Sequence, residues 1–153
     1  MAQARLAVAV VSAAPAEQVF ALLTDWPRHS EWMFATSAEV TAGDGCSPGS
    51  RLAAFSGAGR LGFLDTMEIT RWDPPQRVEV VHTGRVVRGG GVFRVLPLPD
   101  GGSRILWAET LDLPLGPLGA LGWHLARPLF AALVRLSLRR LSRLAETSPS
   151  PAT

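Results

Sequence analysis

The chain has one cysteine, no lysine and no tyrosine among its 153 residues. A lone thiol, Cys46, excludes an intrachain disulfide and any cysteine-built metal cluster. It lies in the turn Gly-Asp-Gly-Cys-Ser-Pro-Gly and reads as a loop thiol without a role. His29, His82 and His124 fall in no metal-ligand spacing, so no metal site is expected. Nucleophile elbows, phosphate loops and dinucleotide fingerprints are missing as well. The short glycine runs at 57–62 and 89–91 do not lead a strand into a helix, so they are not nucleotide loops. All 15 basic residues are arginine, the formal charge is only +2, and the arginines are scattered until the last helix. A nucleic-acid footprint needs clustered basic residues, so no nucleic-acid partner is expected.

Long apolar runs are also few. Residues 6–11 mimic a signal-peptide core but are shorter than the usual roughly 7–15 residues. They read instead as a first strand. The apolar stretch 111–134 is broken by Asp112, His124, Arg127 and three prolines. A spanning helix needs about 20 mostly apolar residues, so no membrane span is expected and a cytoplasmic location follows by default.

What is present suits one domain, taken as residues 1–146, with a disordered tail at 147–153. Residues 4–12 read as a strand, 15–24 and 27–33 as short helices, with Ser12 as a cap and Pro15 in the first turn. Further strands are expected at 36–42, 50–56, 63–72, 77–83, 86–97 and 103–112. Asp100-Gly101-Gly102 signals a hairpin between the last two. Short links throughout imply an antiparallel meander. Residues 115–146 form a wide-faced amphipathic helix. One apolar row holds Leu118, Leu121, Leu125, Leu129, Leu133 and Leu136, and a second holds Phe130, Val134, Leu138 and Leu141. Arg127, Arg135, Arg139 and Arg143 make the opposite stripe, read as a solvated outer face rather than a membrane contact. Pro128 predicts a kink near Ala126–Arg127.

Four segments together resemble the START-like SRPBCC superfamily, including its polyketide cyclase/dehydrase-like members. They are the opening Ser12–Met33, with its Trp26-Pro27 step, the Glu68–Val78 segment with its Pro74-Pro75 turn, Trp107–Pro114, and the final helix. The resemblance spans roughly residues 4–146 and implies an α+β helix-grip fold. In that fold a seven-stranded antiparallel sheet wraps a long C-terminal helix, with two short N-terminal helices. It further implies a cavity for a small hydrophobic or aromatic molecule, and cyclase chemistry that needs no cofactor. A shared cavity does not define a reaction. Three readings therefore stay open: a cyclase or dehydratase, a non-catalytic lipid or isoprenoid carrier, and an interaction module using the basic helix. Nothing in the sequence bears on oligomeric state.

Strand alternation then selects side chains for the cavity. Ile105, Trp107, Glu109 and Leu111 share the inward face of the last strand. Phe93 and Gly91 share it on the strand before, Val80 and His82 on the next, and Asp65, Met67 and Ile69 on the next. Glu109, His82 and Asp65 are the candidate catalytic residues. A carboxylate in an apolar cavity takes a raised pKa or a cationic partner. Asp65 and His82 are expected to pair, with Glu109 further off. Trp107, Trp123, Met67, Ile69, Val80, Phe93, Gly91 and Leu125 are the candidate ligand contacts, the two tryptophans as stacking platforms. Gly89-Gly90-Gly91 reads either as room for a ligand or as a bulge.

Overall fold

The computed structural model describes residues 2–149. Seven strands form one antiparallel sheet in the order β1-β7-β6-β5-β4-β3-β2. They are β1 (Ala2–Ser12), β2 (Thr36–Ala42), β3 (Arg51–Ala58), β4 (Leu61–Asp73), β5 (Arg77–His82), β6 (Gly89–Pro97) and β7 (Ser103–Leu113). Helix α1 (Ala16–Leu23) and a 3₁₀ turn (Trp26–Glu31) link β1 to β2, and the long helix α2 (Pro117–Thr147) follows β7. This is the helix-grip arrangement. Thr147 closes α2, and residues 150–153 of the expected tail lie outside the described residues.

Alternation builds the wall. Ala4, Leu6 and Val8 of β1 face inward, as do Val78 and Val80 of β5, Phe93 and Val95 of β6, and Ile105 of β7. Two bulges, at Val40/Ala42 and Ile69/Arg71, interrupt the register and deepen the bend of the sheet. Ser12 does not cap α1. It ends β1, its hydroxyl accepts the Ala14 amide at 3.2 Å, and Pro15 takes the N-cap position. A proline fits there because its missing N–H has no partner to lose.

α2 packs by its second row, and the first row is not the buried one. Val134, Leu138, Leu141 and Ala145 are buried against the sheet and α1, whereas Leu118, Leu121, Leu125 and Leu129 are exposed. The helix runs unbroken through Pro128, and its N-terminal portion overhangs the body. The molecule is consequently uneven along its length. Ile69, Val78, Val95, Ile105, Leu138 and Leu141 pack solidly at one end of the sheet. The other end, where β7 feeds α2, is hollow.

Candidate functional site

The hollow is a cavity of about 610 Å³. Aromatic and aliphatic side chains line most of it: Trp26, Phe34, Phe63, Phe93, Trp107 and Phe130 with Met33, Met67, Leu52 and Val80. Phe34 and Phe63 are also solvent-exposed, so they mark its mouth. Asp65, His82 and Glu109 gather on its wall, and no arginine lines it among the described residues.

The three polar groups come from three strands. Met67 pairs with His82 across β4 and β5. Asp65 sits two residues before Met67 and so on the same face. His82 Nδ1 lies 2.9 Å from Asp65 Oδ1. On its other side His82 Nε2 lies 3.1 Å from Glu109 Oε2. The second oxygen of Glu109 accepts the indole N–H of Trp107 at 2.7 Å. Glu109 is thus much closer than strand counting suggests, since β6 separates β7 from β5. The reason is glycine. Gly91 pairs with both Glu109 and Val80, and Gly89 pairs with both His82 and Leu111. With no side chains at these two positions, the Glu109 carboxylate lies across β6 and meets the imidazole. A Cβ on Gly91 would stand 2.9 Å from Glu109 Oε1. The register is continuous through Gly89–Gly91 on both sides, so the glycine run is not a bulge.

A neutral imidazole has one N–H and can donate to only one carboxylate. Two flanking carboxylates therefore favour the imidazolium. Burial works against the charge, since the His82 side chain is only 4% exposed. The hydrogen bonds and charges of Asp65 and Glu109 outweigh that cost and raise the His82 pKa to about 9.

His29 is the reverse case. It is buried between Trp26 and Trp32, with ring centroids at 5.0 and 4.8 Å. Burial lowers its pKa to about 4, against the opposing pull of the Leu23 carbonyl that accepts its Nε2–H at 2.7 Å. His29 also touches the cavity, a position not expected from sequence. The Trp26, His29, Trp32 spacing of three could have revealed it, because that spacing stacks residues on one side of a 3₁₀ turn.

These two histidines give stability a domed pH profile. His82 has a folded pKa above its unfolded value, so its contribution is full below about 6.5 and is lost as pH rises through about 9. His29 has a folded pKa below its unfolded value, so its contribution is full above about 6.5 and is lost as pH falls towards 4. Each effect is on the order of 3 kcal/mol. Thermal unfolding from pH 5 to 9.5 should show a maximum near neutrality, and His82→Gln should flatten the alkaline limb.

The remaining sequence candidates fall elsewhere. Ile69 is fully buried in the packed end, below the cavity floor. Gly91 lies beneath the Glu109 carboxylate rather than open to a guest. Trp123 packs edge-on to Phe130 at 5.8 Å and is not on the wall. Leu125 is 77% exposed, because it sits on the overhanging part of α2. Among the described residues, no helix is long and apolar enough to cross a membrane.

Solved structures share this architecture. A protein of Thermus thermophilus is 23% identical, with a TM-score of 0.78 over 95% of this chain and 100% of that one. The Zhui aromatase/cyclase from a Streptomyces species is 13% identical, with a TM-score of 0.78 over 95% of this chain and 94% of its own. A Chromobacterium violaceum protein is 15% identical, with a TM-score of 0.66 over 94% of this chain and 99% of that one. At these identities the likeness shows the fold. No curated protein matches the chain. The family model for polyketide cyclase/dehydrase and lipid transport proteins matches residues 3–146, and the chain belongs to that family.

Proposed function

We propose that the cavity binds a small, uncharged, flat hydrophobic molecule and that Asp65, His82 and Glu109 perform acid–base chemistry on it. One observation carries this reading: an imidazole held between two carboxylates on the wall of an otherwise apolar cavity. With both carboxylates ionised and His82 protonated, the trio bears one negative charge. The chain has no lysine, no arginine lines the wall among the described residues, and the His82 imidazolium is already held by two carboxylates, so a carboxylate or phosphate guest would meet no free counter-charge. A neutral guest with a carbonyl or phenol group fits better.

The chemistry suited to this arrangement is cyclisation with loss of water. Glu109 takes a proton from a carbon next to a carbonyl, and that carbon attacks a second carbonyl of the same molecule. The trio returns that proton to the new alkoxide. A second proton then passes from the same carbon to the trio as the carbon–oxygen bond breaks, and the trio gives it to the departing hydroxide, which leaves as water. The trio begins and ends with the same proton count, and no cofactor enters. Position and acidity together, rather than a covalent intermediate, lower the barrier. The aromatase/cyclase among the structural neighbours is consistent with this class of reaction.

A carrier of lipid- or isoprenoid-like molecules is the second reading, favoured by the apolar lining away from the trio. Native mass spectrometry of protein purified from its own host distinguishes the two. A co-purifying neutral aromatic or polycarbonyl mass supports the first. A co-purifying long-chain lipid supports the second, and a carboxylate or phosphate guest overturns the charge argument behind the first.

A further inference from the structure

We propose that the hollow end of the molecule docks on a bilayer surface containing anionic phospholipid, with the cavity mouth facing the lipid. Three links lie at that end of the sheet: the β3–β4 hairpin, the β5–β6 loop and the β7–α2 turn, as the strand pairings require. Their tips are apolar and bare. Leu61 is 83% exposed, Val86 68% and Leu115 77%, and Leu64 and Leu118 beside them are also exposed. Greasy groups scattered singly over a surface mean little, but a cluster at the rim of a cavity marks a contact site.

Charge identifies the occupant. Segments 57–64, 83–90 and 113–123 contain no Asp or Glu, yet they carry Arg60, Arg85 and Arg88, all exposed. Of the nearest acids, Asp65 pairs with His82, and Asp112 accepts from the neutral Gln3 at 3.1 Å. A two-fold contact with a second copy through this end would set three arginines of each copy against their own kind, with Asp112 alone to face them. An anionic headgroup layer supplies the complementary charge, and the bilayer interface receives the apolar tips. The contact proposed is a peripheral one, made by these exposed tips and arginines. An apolar guest would then pass between bilayer and cavity without crossing water. The docking does not depend on any reaction at Asp65, His82 and Glu109.

Vesicle co-sedimentation tests this. At low salt the protein should bind vesicles of phosphatidylcholine and phosphatidylglycerol (about 7:3) at least tenfold more tightly than pure phosphatidylcholine vesicles, by analogy with polybasic segments. Changing Arg60, Arg85 and Arg88 together to Glu should remove that preference. Leu61→Asp with Val86→Asp should weaken binding to both vesicle types by about tenfold or more. These positions are exposed, and circular dichroism checks that the variants fold. Affinity for a flat ketone, read by tryptophan fluorescence, should be unchanged in the arginine variant, which separates this result from the cavity reading. Equal or absent binding to the two vesicle types overturns the proposal. So does a dimer in sedimentation equilibrium that the Leu61→Asp, Val86→Asp variant dissolves.

Discussion

Glu109→Gln should slow exchange of the α-hydrogens of a bound flat ketone, such as 1-tetralone in deuterated water, at least tenfold and to about 10²-fold. The affinity for the same ketone should stay within about threefold, since an amide fills the same space. The reason lies in the hydrogen bonds. Glu109 accepts from Trp107 with one oxygen and from His82 with the other. Glutamine has one acceptor oxygen and an NH₂ donor. Whichever way it turns, one of those two N–H groups loses its acceptor, or His82 gives up its Nε2 proton to accept from the amide. In every case the ring keeps Asp65 as its one carboxylate partner. Unchanged exchange with unchanged affinity would mark the cavity as a carrier.

A second variant separates the site from the fold. Gly91→Ala should lower the same exchange rate by about 10²-fold, because a misplacement near 1 Å has that effect. Stability should fall by about 1–2 kcal/mol, the Glu109 share of the His82 clamp, with folding retained. The atoms nearest the added Cβ are those of the Glu109 carboxylate, with its oxygens at 2.9 and 3.2 Å, and that group sits at the end of a flexible side chain. The carboxylate can swing aside, and in doing so it leaves His82. Gly89→Ala is the contrasting control. Gly89 has φ +121°, and a Cβ there would stand 1.9 Å from the Thr110 carbonyl oxygen. Backbone cannot swing aside, so Gly89→Ala should destabilise by about 3 kcal/mol or prevent folding. Calorimetry and the exchange assay on both variants decide whether the two glycines act as distinctly as their surroundings imply.

The fold was readable because each element has a strong local cause. Alternation in β1, β5 and β7 and the glycine-bearing hairpin at 100–102 leave little freedom. The Asp65–His82 pairing was expected from alternation and the Pro74-Pro75 turn, but the register that delivers it depends on a bulge the sequence does not show. Asp73 pairs with Arg77 and Trp72 with Val78, but beyond the bulge Ile69 pairs with Val80 and Met67 with His82. The extra residue on β4 changes which of its side chains face inward: Trp72 on one side of the bulge, Met67 and Asp65 on the other. Without it, the carboxylate and imidazole would lie on opposite faces.

Two features were not readable. The contact between Glu109 and His82 spans a whole strand, and alternation rules count strands as full. Gly89 and Gly91 empty the intervening positions, a consequence visible only once both neighbours of β6 are in register. The exposed row of α2 was equally hidden. A helix with two apolar rows can bury either, and only the packing of Val134, Leu138 and Leu141 chooses. Leu118, Leu121, Leu125 and Leu129 are left on the overhang, which is why Leu125 is not on the cavity wall.

The decisive measurement is a ¹⁵N NMR titration of the His82 imidazole from pH 5 to 10. Both ring nitrogens should remain protonated through neutrality, with a midpoint near 9. A midpoint near 6.5, the ordinary histidine value, would mean that Asp65 and Glu109 do not clamp the ring. The acid–base reading of the cavity would then be lost.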